Sequence, residues 1–198
     1  AGSSSRGVVY IYQLSGDTWA HHATLRAQTA TELGAFGLSL AMTQDTLYVG
    51  SLEETVFVYG RSGDDWTELA QLTAADGREG DLFGMAVAAS SDAVVVGAPK
   101  REEAGFVSGA AYVFARDASE WTQSAKLTPS QPADQMSFGI ALATSGGRVI
   151  VGAQLDPTAA AGVGGAFAYE LGAGGWAEVA ALRAADAAEN DWFGVAVA

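Results

Sequence analysis

The chain contains no cysteine. Disulfides and thiolate metal sites are thereby excluded, although this does not fix the compartment in which the protein works. Basic residues are also scarce: Lys and Arg number 10 against 23 Asp and Glu, the only lysines are Lys100 and Lys126, and the formal net charge is −13. Nucleic acid is therefore a poor partner, because phosphate binding draws its affinity from clustered Lys and Arg. The bland use of so acidic a surface is solubility. The two histidines, His21 and His22, are adjacent on a predicted outer strand and are expected to point to opposite faces rather than cooperate. No acid or nucleophile stands at a useful spacing from them, and no glycine loop opens a helix to cradle phosphate, so no catalytic residue is assigned and the protein is not expected to be an enzyme. No apolar run reaches the roughly 18 residues of a membrane-spanning helix, so membrane insertion is not expected. The opening Ala1-Gly2-Ser3-Ser4-Ser5 lacks a basic and apolar signal pattern; an export signal is expected to have been removed or to lie outside this sequence.

What the chain does have is a repeat. Trp19, Trp66, Trp121 and Trp176 are spaced 47, 55 and 55 apart, and 17 residues after each comes Phe-Gly, at Phe36-Gly37, Phe83-Gly84, Phe138-Gly139 and Phe193-Gly194. Thirteen residues after the first three of those glycines lies a second one, in Val49-Gly50-Ser51, Val96-Gly97-Ala98 and Val151-Gly152-Ala153. Seven residues before each tryptophan is an aromatic: Tyr12, Tyr59, Phe114 or Tyr169. A period near 50 signals a propeller, solenoid or array, and one that runs end to end argues for a single region over residues 1–198.

Each repeat divides into four apolar stretches of strand length. In the best-formed copy they are residues 83–89, 93–97, 110–115 and 121–127. Ser90-Ser91-Asp92 joins the first two and Asp117-Ala118-Ser119-Glu120 the last two, both suited to tight hairpins. Four antiparallel strands per unit make a propeller blade. The second strand, Val94-Val95-Val96 or Val149-Ile150-Val151, has no polar alternation and must be buried on both faces. The fourth alternates, as in Trp66-Thr67-Glu68-Leu69-Ala70-Gln71-Leu72, which suits an outer rim with one wet face. Glycine at Phe-Gly and Val-Gly permits close backbone approach, and the phenylalanine fills the gap between blades. The alanine-rich stretch 183–189 reads as a helix in isolation, but its counterparts Thr73-Ala74-Ala75-Asp76-Gly77 and Thr128-Pro129-Ser130-Gln131-Pro132 carry glycine or proline and cannot share one. The expected fold is all-β, a β-propeller of four-stranded antiparallel blades, three complete and one split and incomplete.

The pairing of Phe83-Gly84 with Gly97-Ala98-Pro99, followed by Gly109-Ala110-Ala111-Tyr112-Val113-Phe114 and Trp121, resembles the FG-GAP repeats of integrin α-subunit propellers and their bacterial relatives. Other copies depart in the second motif, with Gly50-Ser51-Leu52 and Gly152-Ala153-Gln154, yet keep its glycine. The resemblance implies calcium in the first hairpin of many blades, held by an Asp-rich loop. Here that hairpin is Thr43-Gln44-Asp45, Ser90-Ser91-Asp92 or Ser145-Gly146-Gly147, and one carboxylate at most cannot supply six to eight oxygens. No cofactor or family metal is therefore expected. Asp76 with Asp81, Asp134, and Asn190 with Asp191 lie in loops before Phe-Gly, where capping and turn hydrogen bonds are their common use. Ser62-Gly63-Asp64-Asp65-Trp66 is only superficially similar to the sialidase turn motif, lacking its glycine and spacing.

A repeat scaffold presents function on the loops of one face. The eight-residue difference between repeats falls between Gly50 and Tyr59, and its longer counterparts run over 98–108 and 153–163. These loops between second and third strands are expected beside the loops between fourth and first strands, residues 27–35, 73–82, 128–137 and 183–192. In integrins that face receives ligands, as the resemblance implies. Lys100, Arg101, Phe106 and Trp192 are the candidate ligand-binding residues there, the structural alternative being that Phe106 and Trp192 tuck against neighbouring blades. The expected function is a non-catalytic, extracellular or surface recognition module for a protein or glycan ligand. A carbohydrate-binding or carbohydrate-active propeller and a purely structural domain of a larger exported protein are the alternatives. Residues 7–26 supply third and fourth strands and residues 193–198 only a first strand, so the chain is expected either to belong to a longer propeller or to self-associate.

Overall fold

The computed structural model describes residues 7–29, 34–117, 120–156 and 163–198. It contains four antiparallel sheets and, among the described residues, no helix. The first sheet has two strands, β1 (Val9–Ser15) and β2 (Thr18–Leu25). The second comprises β3 (Leu40–Met42), β4 (Thr46–Gly50), β5 (Val56–Ser62) and β6 (Asp65–Leu72). β7 (Ala86–Ala89), β8 (Ala93–Ala98), β9 (Ala110–Asp117) and β10 (Glu120–Leu127) make the third. The fourth is β11 (Phe138–Ser145), β12 (Arg148–Ala153), β13 (Gly165–Gly172) and β14 (Gly175–Leu182). Strands pair in chain order within every sheet, as consecutive hairpins require. The sheets are consistent with blades of a β-propeller.

The second strands are sandwiched between sheets, as their unbroken apolar sequence demands: β4 is buried throughout, and so are Val94, Val95 and Val96 of β8. Two boundaries differ from the sequence reading. In the third sheet Phe83-Gly84 precedes the first strand, which starts only at Ala86. Residues 193–198 form no strand; among the described residues, Phe193 makes a single parallel bridge, with Gly164. Of the expected hairpin at Asp117-Ala118-Ser119-Glu120, the two central residues lie outside those described.

One packing scheme joins every pair of neighbouring sheets. The earlier sheet contributes small and aliphatic side chains, the later one an aromatic pair from its third strand, and a Phe-Gly phenylalanine is wedged between them. Between the first and second sheets, Val9, Ile11 and Leu25 face Phe57 and Tyr59, with Phe36 edge-on to both at centroid distances of 5.4 and 6.1 Å. The next contact sets Val56, Val58 and Leu72 against Tyr112 and Phe114, with Phe83 at 5.6 and 6.0 Å. In the third, Ala111, Val113 and Leu127 face Phe167 and Tyr169, with Phe138 at 5.5 and 6.1 Å. These offset and edge-on geometries suit the ring quadrupole and add to area burial.

The fourth strands depart from simple alternation. Each carries a β-bulge three residues after its tryptophan, so that His22, Leu69, Ser124 and Val179 have no partner in the register. Trp66 and Leu72 are six residues apart and would share a face on a regular strand. The extra residue separates them: Trp66 packs against the first sheet and Leu72 against the third. Trp121 and Leu127 are divided in the same way. At the two-stranded sheet the bulged residue is His22, while His21 lies edge-on to Tyr10 and Tyr12 and exchanges a 2.8 Å hydrogen bond with Thr24 Oγ1.

Candidate functional face

The loops between second and third strands meet those between fourth and first strands at one end of the molecule. The link is a row of backbone hydrogen bonds, in which Leu52 donates to Gly34, Lys100 to Asp81, Gln135 to Val107, Leu155 to Met136 and Phe193 to Val163. Antiparallel hairpins bring these two kinds of loop to the same end, so their convergence follows from strand order. Parts of two expected loops, residues 30–33 and 157–162, lie outside those described.

The four candidate residues separate into two kinds. Lys100, Phe106 and Trp192 are exposed on this face. Arg101 is buried instead, with its side chain only 7% accessible. Its Nη1 lies 3.0 Å from Asp81 Oδ2, its Nη2 3.1 Å from Asp76 Oδ2 and its Nε 3.1 Å from Glu103 Oε1. Lys126 on β10 adds a second cation, 2.7 Å from Asp76 and paired also with Glu103, and the Tyr112 hydroxyl donates to Asp76 Oδ1 at 3.0 Å. The cluster ties loop 99–109 to loop 73–82 and to the outer strand. Burial works against the charge of Arg101, but hydrogen bonds to Glu103 and Asp81 outweigh it and hold the guanidinium above its ordinary pKa. Burial alone would raise the pKa of Asp76, yet hydrogen bonds from Lys126 and Tyr112 and the neighbouring positive charges hold it below the usual carboxylate value. Asp76 and Asp81 therefore do converge across a loop, but upon a guanidinium. Among the described residues, no group of three or more His, Asp or Glu side chains is arranged to hold a metal ion.

A charged residue follows each Val-Gly glycine by four positions: Glu54, Arg101 and Asp156. All three fasten loops on this face. Asp156, fully buried, accepts from Arg183 Nη2 at 2.6 Å, in the segment that follows its sheet. The register of the repeat carries this signal, in which Arg101 reads as a ligand residue. Spacing could not show which side chain turned inward, because the partners lie 20 and 25 residues away in Asp81 and Asp76.

Glu54 compensates for the shortened loop. In the long-loop repeats the wedge phenylalanine donates its N–H to a loop carbonyl, Phe138 to Ser108 and Phe193 to Val163. With eight residues fewer, the second sheet offers a side chain instead: the Glu54 carboxylate accepts from Phe83 N at 2.6 Å, Leu82 N at 3.0 Å and Gly80 N at 3.1 Å. It does so from a left-handed backbone, φ 55°. Removing the carboxylate by Glu54→Ala leaves these donors without their acceptor and is expected to cost about 2 kcal/mol. Chemical denaturation measures the loss, and amide exchange at residues 80, 82 and 83 should accelerate together; unchanged exchange there would show the cap to be idle.

The short loop also leaves a cleft of about 520 Å³ between residues 52–55 and 73–79, with Phe83 at its base and Leu52, Thr73, Ala74, Arg78 and Glu79 on its walls. Beside it the long loop of the third sheet folds over on itself, with reciprocal backbone hydrogen bonds between Glu103 and Phe106. The face thus presents a recess, and elsewhere on it Lys100, Phe106 and Trp192 are exposed.

No curated protein matched the chain. Residues 66–114 and 121–169 each match a family model, that of the FG-GAP repeat, and each match runs from a tryptophan to the aromatic residue seven positions before the next one. These segments contain two of the three buried Phe-Gly wedges, Phe83 and Phe138, with the glycines Gly97 and Gly152, and on them the chain is an FG-GAP repeat protein.

Proposed function

We propose that the protein is a non-catalytic recognition module of β-propeller form, whose sheets are blades around a central axis and whose loop face binds a protein ligand outside the cell. The observation that carries this reading is the contrast between frame and loops. Beneath the face, three successive sheet contacts repeat one packing scheme almost side chain for side chain. On it, the loops differ in length, in charge and in their exposed groups, with Lys100, Phe106 and Trp192 accessible. A scaffold that holds its core constant while varying one loop face is built for binding. Exposed aromatic side chains are frequent anchors of protein recognition. Neither a cofactor nor a catalytic step is part of this proposal.

The test is binding to a panel of extracellular proteins and, in parallel, to a glycan array, using the chain and its Phe106→Ala/Trp192→Ala variant. Saturable protein binding weakened at least tenfold in the variant is the expected result. Glycan binding with no protein ligand would replace this reading with a carbohydrate-binding one, and protein binding indifferent to both aromatics would move the site off this face.

A further inference from the structure

At the end opposite the loop face, two arginines from neighbouring sheets border one recess. Arg61 and Arg116 stand five residues before Trp66 and Trp121, a position that Leu14 and Leu171 occupy in the other repeats, so a basic side chain appears there only in the second and third sheets. The recess has a volume of about 210 Å³, and Asp45, Thr46, Ser62 and Thr67 line it together with the two arginines. Asp45, Thr46 and Arg116 also border a wider groove of about 500 Å³, which passes between the first hairpins of the two sheets. Arg116 spans the gap. Its guanidinium carbon lies 5.7 Å from the centre of the Trp121 ring on β10. Burial raises the pKa of the Tyr48 hydroxyl on β4 and the Arg116 charge opposes that rise, as expected of a cation that reaches the second sheet.

Neither guanidinium has a counter-ion among the described residues. Arg78, Arg101, Lys126, Arg148 and Arg183 are all paired with carboxylates, whereas Arg61 and Arg116 are paired with none. Arg61 donates its Nε to the Gly63 carbonyl at 2.9 Å, which orients the side chain but leaves its positive charge uncompensated. In a molecule of formal charge −13, two basic side chains lining one small recess without a carboxylate partner call for an anion that the chain itself does not supply. Asp45 is the only acid lining the recess or the groove. Its carboxylate repels a fully ionised anion, yet it accepts a hydrogen bond from one that retains a proton.

We propose that this recess binds a phosphate group that retains a hydroxyl, with Arg61 and Arg116 donating to its ionised oxygens and Asp45 accepting from its P–O–H. The planar guanidinium fork matches phosphate oxygens in pairs, which a lysine ammonium does not. Sulfate has the same tetrahedral shape but no proton near neutral pH, so one of its oxygens would face the Asp45 carboxylate. Phosphate held in this way links the second sheet to the third, and because it binds only the folded chain it raises stability in proportion to its occupancy. The site is separate from the loop face and does not depend on the function proposed there.

Calorimetric titration with sodium phosphate and with sodium sulfate, at constant ionic strength made up with chloride, tests the proposal. Phosphate should bind saturably, about tenfold more tightly than sulfate, and should raise the thermal midpoint where chloride does not. Arg61→Gln and Arg116→Gln, at half-buried and exposed positions, should leave circular dichroism unchanged and each weaken phosphate about tenfold. Asp45→Asn should act in the opposite sense on sulfate, tightening it until the preference for phosphate is lost. Glycerol phosphate, about half of which keeps its proton near pH 6, separates the two sources of such a group. Binding tighter than that of inorganic phosphate at that pH places the group on a larger molecule whose remainder lies in the groove, and weaker binding assigns the site to the free ion. Phosphate that binds no better than chloride overturns the proposal. So does phosphate binding indifferent to both arginines, or a preference over sulfate that survives Asp45→Asn.

Discussion

Gly97→Ala should destabilise the protein by about 3 kcal/mol, the upper part of the range for forcing atoms into a packed interior. Gly97 lies in β8, and a Cβ built on it would fall on the carbonyl oxygen of Gly139 in the next sheet. Gly50 and Gly152 stand in the same relation to Gly84 and Gly194. The obstacle is backbone. A side chain could rotate aside, but the Gly139 carbonyl belongs to the backbone of β11, whose first residue, Phe138, is packed between the third and fourth sheets. Relief would need the two sheets to separate and loosen the Phe138, Phe167 and Tyr169 cluster. For a chain of this length 1 kcal/mol moves the midpoint by roughly 2–4 °C, so thermal unfolding should fall by about 10 °C. Gly174→Ala is the control: it sits in a hairpin with nothing near an added Cβ and no positive φ, and should unfold with the wild type. Equal midpoints for wild type and Gly97→Ala would mean that the sheets are not in the contact described.

Arg101→Ala is the second large effect. Breaking a buried ion pair by removing one partner typically costs about 3–5 kcal/mol, because the charge left behind keeps its desolvation penalty. Here Asp81 is left, nearly as buried as the arginine. Asp76 is more accessible and keeps Lys126, which places the expected loss near 3 kcal/mol, at the lower end of that range. Arg101→Lys retains the charge but has no planar fork to reach Asp76, Asp81 and Glu103 together, and should fall between the two. Acid provides a separate readout. Asp76 has a depressed pKa in the fold, so its contribution is fully present above its unfolded value of about 3.9 and disappears as pH falls through the lower folded value. The stability difference between wild type and Arg101→Ala, measured by denaturant titration, should therefore be constant near neutral pH and shrink below about pH 4. A difference that grows on acidification would contradict the assignment of Arg101 to this carboxylate cluster.

Much of the architecture was legible because it is repetitive. Four landmarks in constant register gave the number of units, the four strands of each, and the roles of Phe-Gly and Val-Gly, since each landmark answers a local packing need that recurs in every copy. Boundaries were harder to read where hydrogen bonding depends on a neighbour. Phe83 reads as strand because it is apolar and follows a loop, yet it serves as a wedge before Ala86 begins the strand. Residues 193–198 have the composition of a first strand, yet among the described residues only Phe193 is bridged, to Gly164.

The candidate face was legible as a place, not as a set of roles. The loop lengths pointed to it, and three of the four nominated side chains are exposed there. The fourth, Arg101, became internal because Asp76 and Asp81 are brought to it by loops whose approach is encoded nowhere in local sequence. The role of Glu54 is not legible in the sequence for a related reason: it lies in N–H groups 26 to 29 residues further on that a shortened loop would otherwise leave without an acceptor.

By itself, then, the sequence determined the all-β character, the repeat and the identity of the core, because apolar periodicity and glycine placement are properties of short segments. Tertiary structure alone decided which way each tryptophan faces, since one bulged residue turns Trp66 and Leu72 to opposite sheets. It also decided which charged side chains are buried, Arg101 and Asp156 among them. Direction, desolvation and exposure depend on what lies across a gap in space, and that is settled only when the sheets are stacked.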